Sequence, residues 1–299
     1  MTRVLYPHER TAIAKQIKDA VNEYCAVTYD DGHRTHLGAS LIGHECRRYL
    51  WYVWRWVKQA DFINDKGENH KGRMQRLFNR GHREEERFIE WLRGIGFTIW
   101  DIDPETGNQI RVSGVEKHYG GSLDSVGKAP AWLHLLAEVG PFLVEYKTHN
   151  AKSFAKLVKD GVKVTKPQHW AQMCTYGSYY KFKYALYCAI NKDDDDIDFQ
   201  IVELDWALGM EKYRLAEEVI QAVRPPPRLS ELPSYFKCKT CDFRGICHKS
   251  EQYEKNCRSC AFATPVKDGQ WFCGVNNDVI PKDFIPKGCG QWKPVGRNG

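Results

Sequence analysis

Helices are predicted along five stretches of the chain, and in three of them, residues 8–25, 74–95 and 206–223, apolar residues at helical spacing predict an amphipathic helix. Pro167 is well placed in the first turn of one of these helices. An additional helix, which carries Cys46, is expected with Ser40 as its N-cap. The five helices are predicted over residues 8–25, 74–95, 151–159, 167–176 and 206–223.

Strands are predicted where shorter runs are rich in β-branched and aromatic residues and end in turn residues. Four such runs lie between residues 97 and 148 and are expected to form a meander. Two more flank the acidic run Lys192–Asp196, which we interpret as a solvated hairpin loop without a function of its own. The strands are predicted over residues 97–100, 109–113, 120–126, 142–148, 184–191 and 197–204.

The length and composition set broad limits on the protein. It has 299 residues, of which 42% are hydrophobic, so it can bury one large domain and carry an appendage. It has no apolar run of membrane-spanning length and no apolar secretory signal at its N-terminus, so we expect a cytoplasmic protein with no membrane partner. A net charge of +6 permits a nucleic-acid partner, but ordinary surface composition explains it equally well.

The predicted strand over residues 142–148 carries an acid and a base on one face. Because side chains alternate along a strand, Glu145 and Lys147 project together while Tyr146 points the other way. Asp124 follows a Gly-Gly turn and is expected on a neighbouring strand. Two carboxylates and the Tyr146 carbonyl suit Mg²⁺ or Mn²⁺, and Lys147 is placed to orient or deprotonate a water. The pattern therefore indicates metal-assisted hydrolysis of a phosphodiester.

This pattern is short, and an exposed strand with an ion pair explains Glu145 and Lys147 equally well. A predicted helix adds possible ligands in the run Gly81–Glu86, of which only one or two can face a site because neighbouring helix positions diverge. Gln172 and Tyr176 are four residues apart and share a helix face. Basic residues beyond the site are either a solvated face or phosphate contacts: Lys152, Lys156, Lys159, Lys163 and Lys166.

Eleven cysteines in a cytoplasmic chain are not expected to form disulfides, and the spacing of the seven in its last quarter indicates metal binding. Four of them make a complete thiolate set for a closed tetrahedral zinc site, namely Cys257, Cys260, Cys273 and Cys289. Three more have the spacing C-x2-C-x5-C, and with Cys46 as the fourth they suit either zinc or a [4Fe-4S] cluster; they are Cys238, Cys241 and Cys247. Cys25, Cys174 and Cys188 are expected to be ordinary buried cysteines.

The order of these motifs resembles the RecB-type branch of the PD-(D/E)XK nucleases. The resemblance is greatest to members with a cysteine cage around an iron-sulfur cluster, the AddB and CRISPR-associated RecB-like exonuclease group, and a phage-encoded protein is among the expectations. It covers about residues 38–250. The motifs that carry it are Cys46, Gly81-x3-Glu85, Gly121-Ser122-Leu123-Asp124, Glu145-Tyr146-Lys147, Gln172-x3-Tyr176 and Cys238-x2-Cys241-x5-Cys247.

The resemblance implies an α/β fold, with a restriction-endonuclease-like core in which helices flank a central mixed sheet. It places Asp124, Glu145 and the Tyr146 carbonyl on Mg²⁺ or Mn²⁺, and Lys147 on the nucleophilic water. It also assigns supporting roles to helix residues and to the cysteines. Gln172 and Tyr176 would hold the substrate or the lysine, Glu85 or His82 would approach the metal, and Cys46, Cys238, Cys241 and Cys247 would bind [4Fe-4S].

The expected organisation is an N-terminal helical segment (1–37), a nuclease domain (38–250) and a small C-terminal Cys-rich metal-binding module (251–299) whose zinc site rests on spacing alone. The expected function is that of a metal-dependent deoxyribonuclease. It would act as an exonuclease on DNA ends or single strands in recombination, repair or phage DNA processing, with a helicase or recombination partner. The alternatives are a non-catalytic DNA-binding or assembly module and a structure- or site-specific endonuclease.

Overall fold

The computed structural model of the chain describes residues 3–30, 32–58 and 70–296. The chain divides into two compact units. The first comprises Met1–Gly32 with Ala60–Glu84, and the second comprises His33–Gln59 with Glu85–Gly299. None of the helices in the described ranges combines the length and the apolarity that a bilayer span requires.

Nine α-helices form in the described residues. They are α1 (Pro7–Thr28), α2 (Arg47–Trp54), α3 (Lys71–Gly94), α4 (His134–Ala137), α5 (Ala151–Thr165), α6 (Pro167–Tyr180), α7 (Trp206–Gln221), α8 (Phe236–Lys239) and α9 (Arg244–Lys249). Local chemistry explains several of their starts. Proline lies in the first turn of α1 and α6. The side chains of Asn150 and Asp205 cap α5 and α7 by accepting hydrogen bonds from backbone N–H groups at 2.8 Å and 3.0 Å.

Eleven strands form three sheets in the same ranges. They are β1 (Leu37–Gly38), β2 (Thr98–Trp100), β3 (Arg111–Gly114), β4 (Tyr119–Ser122), β5 (Ser125–Lys128), β6 (Phe142–His149), β7 (Tyr184–Asn191), β8 (Ile197–Glu203), β9 (Ala263–Pro265), β10 (Trp271–Cys273) and β11 (Asp278–Val279). The largest sheet has the order β2-β5-β6-β7-β8, and the smaller ones have the orders β1-β4-β3 and β11-β10-β9. In the largest sheet β6 and β7 are parallel while the other pairs are antiparallel. The predicted mixed sheet is therefore confirmed.

The first unit consists of α1 and the first part of α3. Lys71 Nζ lies 2.6 Å from Asp30 Oδ2. Arg76 Nη1 donates a hydrogen bond to Asn22 Oδ1 at 2.7 Å. These contacts join the two helices into a pair.

In the second unit the five-stranded sheet has a hydrophobic core on each face, because side chains alternate along its strands. On one face Val144 and Tyr146 pack with Phe88, whose ring stacks on that of Tyr146 at 5.6 Å between centroids. On the other face Leu143 and Tyr187 belong to the larger core, which includes side chains of α2, α5, α6 and α7. Since Tyr146 points to the first face, Glu145 and Lys147 point to the second.

The last described residues, 251–296, pack against α2 within the second unit. The backbone N–H of Glu254 donates to the carbonyl of Val57 at 2.8 Å. Asn256 Nδ2 donates to the carbonyl of Trp56 at 2.8 Å. The ring of Trp271, on β10, lies 5.2 Å from the ring of Trp54 between centroids. The C-terminal cysteines are thus carried by a segment that covers α2.

Two arginines are buried where this segment meets α2. Arg55 is 2% exposed and Arg258 is 1% exposed. The Arg258 guanidinium lies 3.9 Å and 4.4 Å from the ring centroids of Trp54 and Trp56. A desolvated cation–π contact stabilises a cation by about 2 kcal/mol, whereas burying an unpaired ion costs several kcal/mol. The tryptophan faces therefore offset part of the cost of burying two cations together.

The predicted helical cap at Ser40 is wrong. Ser40 lies in the 3₁₀ turn Ala39–Leu41, and α2 begins only after Cys46, which occupies its N-cap position. In the intervening loop Gly43 lies against α6, where a Cβ atom would be 2.6 Å from Gln168 Cα. Because this close approach holds the loop on α6, the chain bends before α2 can start.

The strand predicted over residues 120–126 is two strands, which belong to different sheets. β4 ends at Ser122 in the three-stranded sheet, and β5 begins at Ser125 in the five-stranded sheet. The strands predicted as one meander therefore belong to two different sheets. Asp124 lies at the junction between the two sheets.

Gly121 packs too tightly for any side chain. A Cβ atom there would overlap the Tyr176 hydroxyl and lie 3.2 Å from Ala39 Cβ. We expect Gly121→Ala to lower the free energy of unfolding by about 1–3 kcal/mol, as overpacking does. Thermal unfolding followed by circular dichroism measures this.

Gly81→Ala is the matched control, because a Cβ atom at Gly81 meets nothing within 4 Å. Within a helix this change is expected to stabilise by about 0.5–1 kcal/mol. Equal melting temperatures for the two variants would contradict the proposed crowding at Gly121.

Candidate active site

The two carboxylates predicted for the site come from the junction between sheets and from the middle of β6. β5 and β6 are antiparallel neighbours, with Ser125 opposite Val144. This pairing brings Asp124 beside the following residues of β6. The backbone N–H of Tyr146 donates a hydrogen bond to Asp124 Oδ2 at 3.0 Å. Asp124 is thereby fixed against the strand that carries Glu145.

Both carboxylates and one main-chain carbonyl surround the ammonium group of Lys147. Its Nζ lies 2.5 Å from Glu145 Oε1 and 3.1 Å from Asp124 Oδ2. It also donates a hydrogen bond to the Tyr146 carbonyl at 2.9 Å. The structure therefore brings Asp124 and Glu145 together at Lys147, and their binding of a common metal ion stays a prediction.

The site holds two carboxylates against one ammonium group. Glu145 is 0% exposed, and in the described part of the chain no donor except Lys147 reaches its oxygens. Burial and the Asp124 charge raise the pKa of Glu145 to about 7, against the effect of Lys147. Burial alone would lower the pKa of Lys147, but Asp124 and Glu145 together raise it well above its usual value. Buried oxygens with excess negative charge are what a hard divalent cation requires.

Glu85 lies close to the carboxylate pair. Burial and the Asp124 charge raise the pKa of Glu85 to about 7. In the described ranges no three His, Cys, Asp or Glu side chains converge as ligands of one ion, so Glu85 does not complete a three-carboxylate set. His82 is an exposed helix residue. Glu85 and His82 are the two predicted alternatives near the metal. The charges of Asp124 and Lys147 affect the pKa of Glu85, so Glu85 is the one that lies near the site.

Gln172 and Tyr176 lie on the buried face of α6. Gln172 is 6% exposed and Tyr176 is 1% exposed. Gln172 Nε2 lies 3.5 Å from the Tyr176 hydroxyl. Burial and the charges of Glu145 and Asp124 raise the pKa of Tyr176. Because both residues are buried, they are better placed to support the other side chains of the site than to contact a substrate.

Sequence reasoning missed a hydrogen-bonded group that is centred on Tyr187. Tyr187 is paired with Glu145 in the parallel register of β6 and β7. Its hydroxyl lies 2.8 Å from His169 Nδ1 and 3.2 Å from His149 Nε2. His149 Nδ1 lies 3.1 Å from Ser153 Oγ. Knowing that β6 pairs with β7 would have located this group, but that pairing is not visible in the sequence of either strand.

Both histidines of the group are neutral near pH 7. Burial and the Lys147 charge lower the pKa of His169 to about 3. Burial, Lys166 and Lys147 lower the pKa of His149 to about 4. Lys166 Nζ also donates a hydrogen bond to Ser153 Oγ at 2.7 Å. A line of polar groups therefore runs from the buried Tyr187 to a lysine at the end of α5.

The other predicted basic residues lie on α5, directly after β6. All four are exposed. Lys152, Lys156 and Lys159 recur at helical spacing, and Lys163 lies beyond the kink of α5 at Gly161. They form a cationic surface next to the strand that carries Glu145 and Lys147. Phosphate contact at this surface remains a prediction.

The cysteines predicted for an iron-sulfur cluster line one cavity, which is formed by α2, α8, α9 and the residues around them. They are Cys46, Cys238, Cys241 and Cys247. Burial and the Cys247 and Cys46 thiols raise the pKa of Cys238. The donor set fits a group that takes four thiolates. Within the described residues their side chains do not meet as ligands of a single ion.

The cysteines predicted for zinc are also neighbours. Burial and the Cys260, Cys289 and Cys273 thiols raise the pKa of Cys257 to about 11. The Cys260 N–H donates to the Cys257 carbonyl at 3.1 Å and closes a turn. Over the described ranges this set does not converge on one point either, so zinc stays a prediction. The remaining cysteines are buried, as expected: Cys25, Cys174 and Cys188.

The pKa values of Glu145 and Glu85 predict how divalent-metal binding depends on pH. Both carboxyl groups are protonated below about pH 7, so a cation must displace protons there. We expect the Mn²⁺ affinity to rise with pH up to about 7 and then to level off. Isothermal titration calorimetry between about pH 5.5 and 8.5, in buffers of different ionisation enthalpy, measures affinity and proton release.

Glu145→Gln and Glu85→Gln are the informative variants. Glu145→Gln should abolish most Mn²⁺ binding, while Glu85→Gln should reduce the number of protons released and leave binding measurable. A Mn²⁺ affinity that is constant over the whole pH range contradicts the prediction.

Comparison with known proteins gives distant likenesses in structure alone. No protein-family model matches the chain, and no curated protein is similar to it. The crystal structure of SSO0001 is similar at 15% identity and a TM-score of 0.42, over 77% of this chain and 96% of that one. The alkaline exonuclease LHK-Exo from Laribacter hongkongensis is similar at 17% identity and a TM-score of 0.39, over 66% of this chain and 89% of that one. LHK-Exo in complex with dAMP is similar at 16% identity, with the same TM-score and coverage. Likenesses this distant assign neither a family nor an activity to the chain.

Proposed function

We propose that this chain is a metal-dependent nuclease of the PD-(D/E)XK type that hydrolyses phosphodiester bonds in DNA. The observation that carries the proposal is the convergence of Asp124, Glu145 and the Tyr146 carbonyl on Lys147 Nζ, at 3.1 Å, 2.5 Å and 2.9 Å. These residues fit Mg²⁺ or Mn²⁺, because the ligand atoms are oxygens and because Glu145 Oε2 is buried without a donor in the described ranges.

Asp124, Glu145 and the Tyr146 carbonyl would hold the ion. When bound, the ion lowers the pKa of a water and neutralises charge on the phosphate. Lys147 keeps its proton beside two carboxylates, so its role is to orient the water and a phosphate oxygen through its N–H donors. The alternative that Lys147 deprotonates the water is not favoured. Glu85, with a pKa of about 7, is suited to exchange a proton near neutral pH.

DNA is the proposed substrate because exposed lysines follow the site on α5. Within this proposal we favour an exonuclease that acts on ends or single strands in recombination, repair or phage DNA processing. A helicase or recombination protein that exposes such ends is the partner that this activity implies.

Replacement of the site residues should abolish cutting. We expect Asp124→Ala, Glu145→Ala and Lys147→Ala each to reduce Mg²⁺- or Mn²⁺-dependent cleavage by at least about 100-fold, since each removes a charge that acts on the transition state. Release of nucleotides from end-labelled DNA measures this. Glu211→Ala, at an exposed carboxylate on α7, is the charge-matched control for the two carboxylate variants and should cut normally. Full activity in all three site variants would overturn the assignment.

The same assay separates the alternative functions. Single- and double-stranded DNA labelled at the 5′ or the 3′ end gives the direction of degradation. A covalently closed circle is cut only by an endonuclease. A folded protein that binds DNA and never cuts it with either metal would be the non-catalytic module.

We further propose that Cys46, Cys238, Cys241 and Cys247 hold a [4Fe-4S] cluster. Four thiols that line one cavity support the proposal. In the described residues their sulfur atoms do not converge on one point, as the ligands of a single ion would. A [4Fe-4S] cluster does not require such convergence, because each thiolate binds a different iron atom. The cluster would fasten α2 to the region of α8 and α9, and it would take no part in hydrolysis.

Anaerobically purified protein is therefore expected to be brown, with a broad absorbance band near about 400 nm from thiolate-bound iron. Cys46→Ser should bleach this band and lower the melting temperature by about 5–10 °C. The buried Cys188→Ser, outside the cavity, is the control and should keep the colour. Protein that carries stoichiometric zinc and no iron would contradict the cluster.

A further inference from the structure

Five polar side chains form a continuous hydrogen-bonded line through α5, β6, β7 and α6. Lys166 Nζ lies 2.7 Å from Ser153 Oγ, and Ser153 Oγ lies 3.1 Å from His149 Nδ1. The Tyr187 hydroxyl lies 3.2 Å from His149 Nε2 and 2.8 Å from His169 Nδ1. We call these five residues the histidine relay. Because each bond joins one member to the next, the direction of the first bond determines the direction of the others.

The relay has a direction because it begins at an ammonium group. Lys166 can only donate, so Ser153 Oγ accepts this bond and its own hydrogen is left for His149 Nδ1. Both imidazoles are neutral, since burial and lysine charges lower their pKa values, and a neutral imidazole has one donor and one acceptor. His149 therefore donates from Nε2 to Tyr187, which donates to His169 Nδ1. His169 is left with its proton on Nε2.

The relay is built against the strand that carries the candidate site. Glu145, Lys147 and His149 lie on one face of β6, because side chains alternate along a strand. Tyr187 is the register partner of Glu145, but its hydroxyl reaches His149, so its side chain extends along β6 past the position of Lys147. The residue opposite Lys147 is Ala189, whose small side chain leaves room for the ring.

The last member of the relay lies between the candidate site and the lysines of α5. His169 is half-buried, and within the described ranges its Nε2 makes no hydrogen bond. Lys147 is also partly open, with 24% of its side chain exposed. Lys163 Nζ lies 5.3 Å from the ring centroid of Trp170, which brings α5 beside the residue that follows His169. An N–H donor at such a place suits a phosphate oxygen of DNA.

We propose that the histidine relay fixes His169 as an Nε2–H donor, and that this N–H binds a non-bridging phosphate oxygen of the DNA. The proposal rests on the proposed nuclease function and adds a substrate contact to the same site. A neutral donor suits this position, because a further cation would be repelled by Lys147 and Lys166. His169 is thus a binding residue, and the other four members of the relay are positioning residues.

Two substitutions of His169 separate the two nitrogens of its ring. Asn places its amide near Nδ1, so His169→Asn keeps the contact with Tyr187 and loses the outward donor. Gln places an amide N–H near Nε2, so His169→Gln keeps the donor. We expect His169→Asn to raise KM for Mg²⁺-dependent cleavage by at least about tenfold, as the loss of a hydrogen bond to a charged group does, with kcat within a few-fold of wild type.

His169→Gln should keep KM within a few-fold of the wild-type value. So should His134→Asn, the matched control at an exposed histidine on α4. An unchanged KM in His169→Asn, or an equal rise in His169→Gln, would overturn the assignment of Nε2 as the donor.

DNA with single methylphosphonate linkages tests whether the contact is direct, because a methyl group then replaces one charged phosphate oxygen. Placed at successive phosphates, the linkage should weaken wild-type binding at the phosphate that His169 contacts. At that position it should cost the His169→Asn variant nothing further. Binding is measured with Ca²⁺ in place of Mg²⁺, so that the DNA stays intact. Equal losses for both proteins at every phosphate would contradict a direct contact.

Nuclear magnetic resonance of the histidine rings reads the tautomers in the wild-type chain. Long-range ¹H–¹⁵N correlation at about pH 7 should show His149 and His169 protonated on Nε2 and not on Nδ1. Tyr187→Phe should release His169 into a mixture of tautomers and leave the signals of His134 unchanged. A wild-type His169 that is protonated on Nδ1 would overturn the relay.

The spectra and the binding measured with Ca²⁺ do not depend on cleavage. Wild-type protein that binds DNA and never cuts it would refute the nuclease function alone, and these two measurements would still decide the role of His169.

Discussion

The ammonium group of Lys147 holds together the buried Glu145 carboxylate, the partly exposed Asp124 carboxylate and the Tyr146 carbonyl, and the candidate site depends on this contact. Without a cation between them, Asp124 and Glu145 would repel each other in a region that is largely shielded from solvent. Because side chains alternate along β6, Glu145 and Lys147 lie on the same face of the sheet. Asp124 lies in the short segment between β4 and β5, beside this pair. The hydrophobic cores on both faces of the sheet keep these elements in register.

The residues of β6 could be predicted because their pattern is local. A run of apolar residues that ends in polar ones defines a strand, and alternation then fixes the faces without any knowledge of the fold. The position of Asp124 depends on the fold as well as on the local pattern. Residues 120–126 have the composition of one strand, and a sequence pattern does not show that the chain passes from one sheet to another within it. The cap of α2 was misplaced for a similar reason, because the contact of Gly43 with α6 is made across the fold.

Residues whose role depends on distant partners could not be found by pattern. Tyr187, His149 and His169 each look like ordinary core or helix residues, and only the parallel pairing of β6 with β7 brings them together. Arg55 and Arg258 are two of 44 basic residues, most of which belong on a surface. Their burial follows from the packing of α2 against a segment that is made near the end of the chain.

That packing sets an order of events during synthesis. The hydrogen bond from Asn256 to Trp56 spans 200 residues, and the one from Arg55 to Ala263 spans 208. While the intervening chain is still on the ribosome, the aromatic side of α2 has no cover. In the nascent protein this tryptophan-rich surface therefore stays uncovered until the residues that contact it, 200 or more positions later in the sequence, have been made.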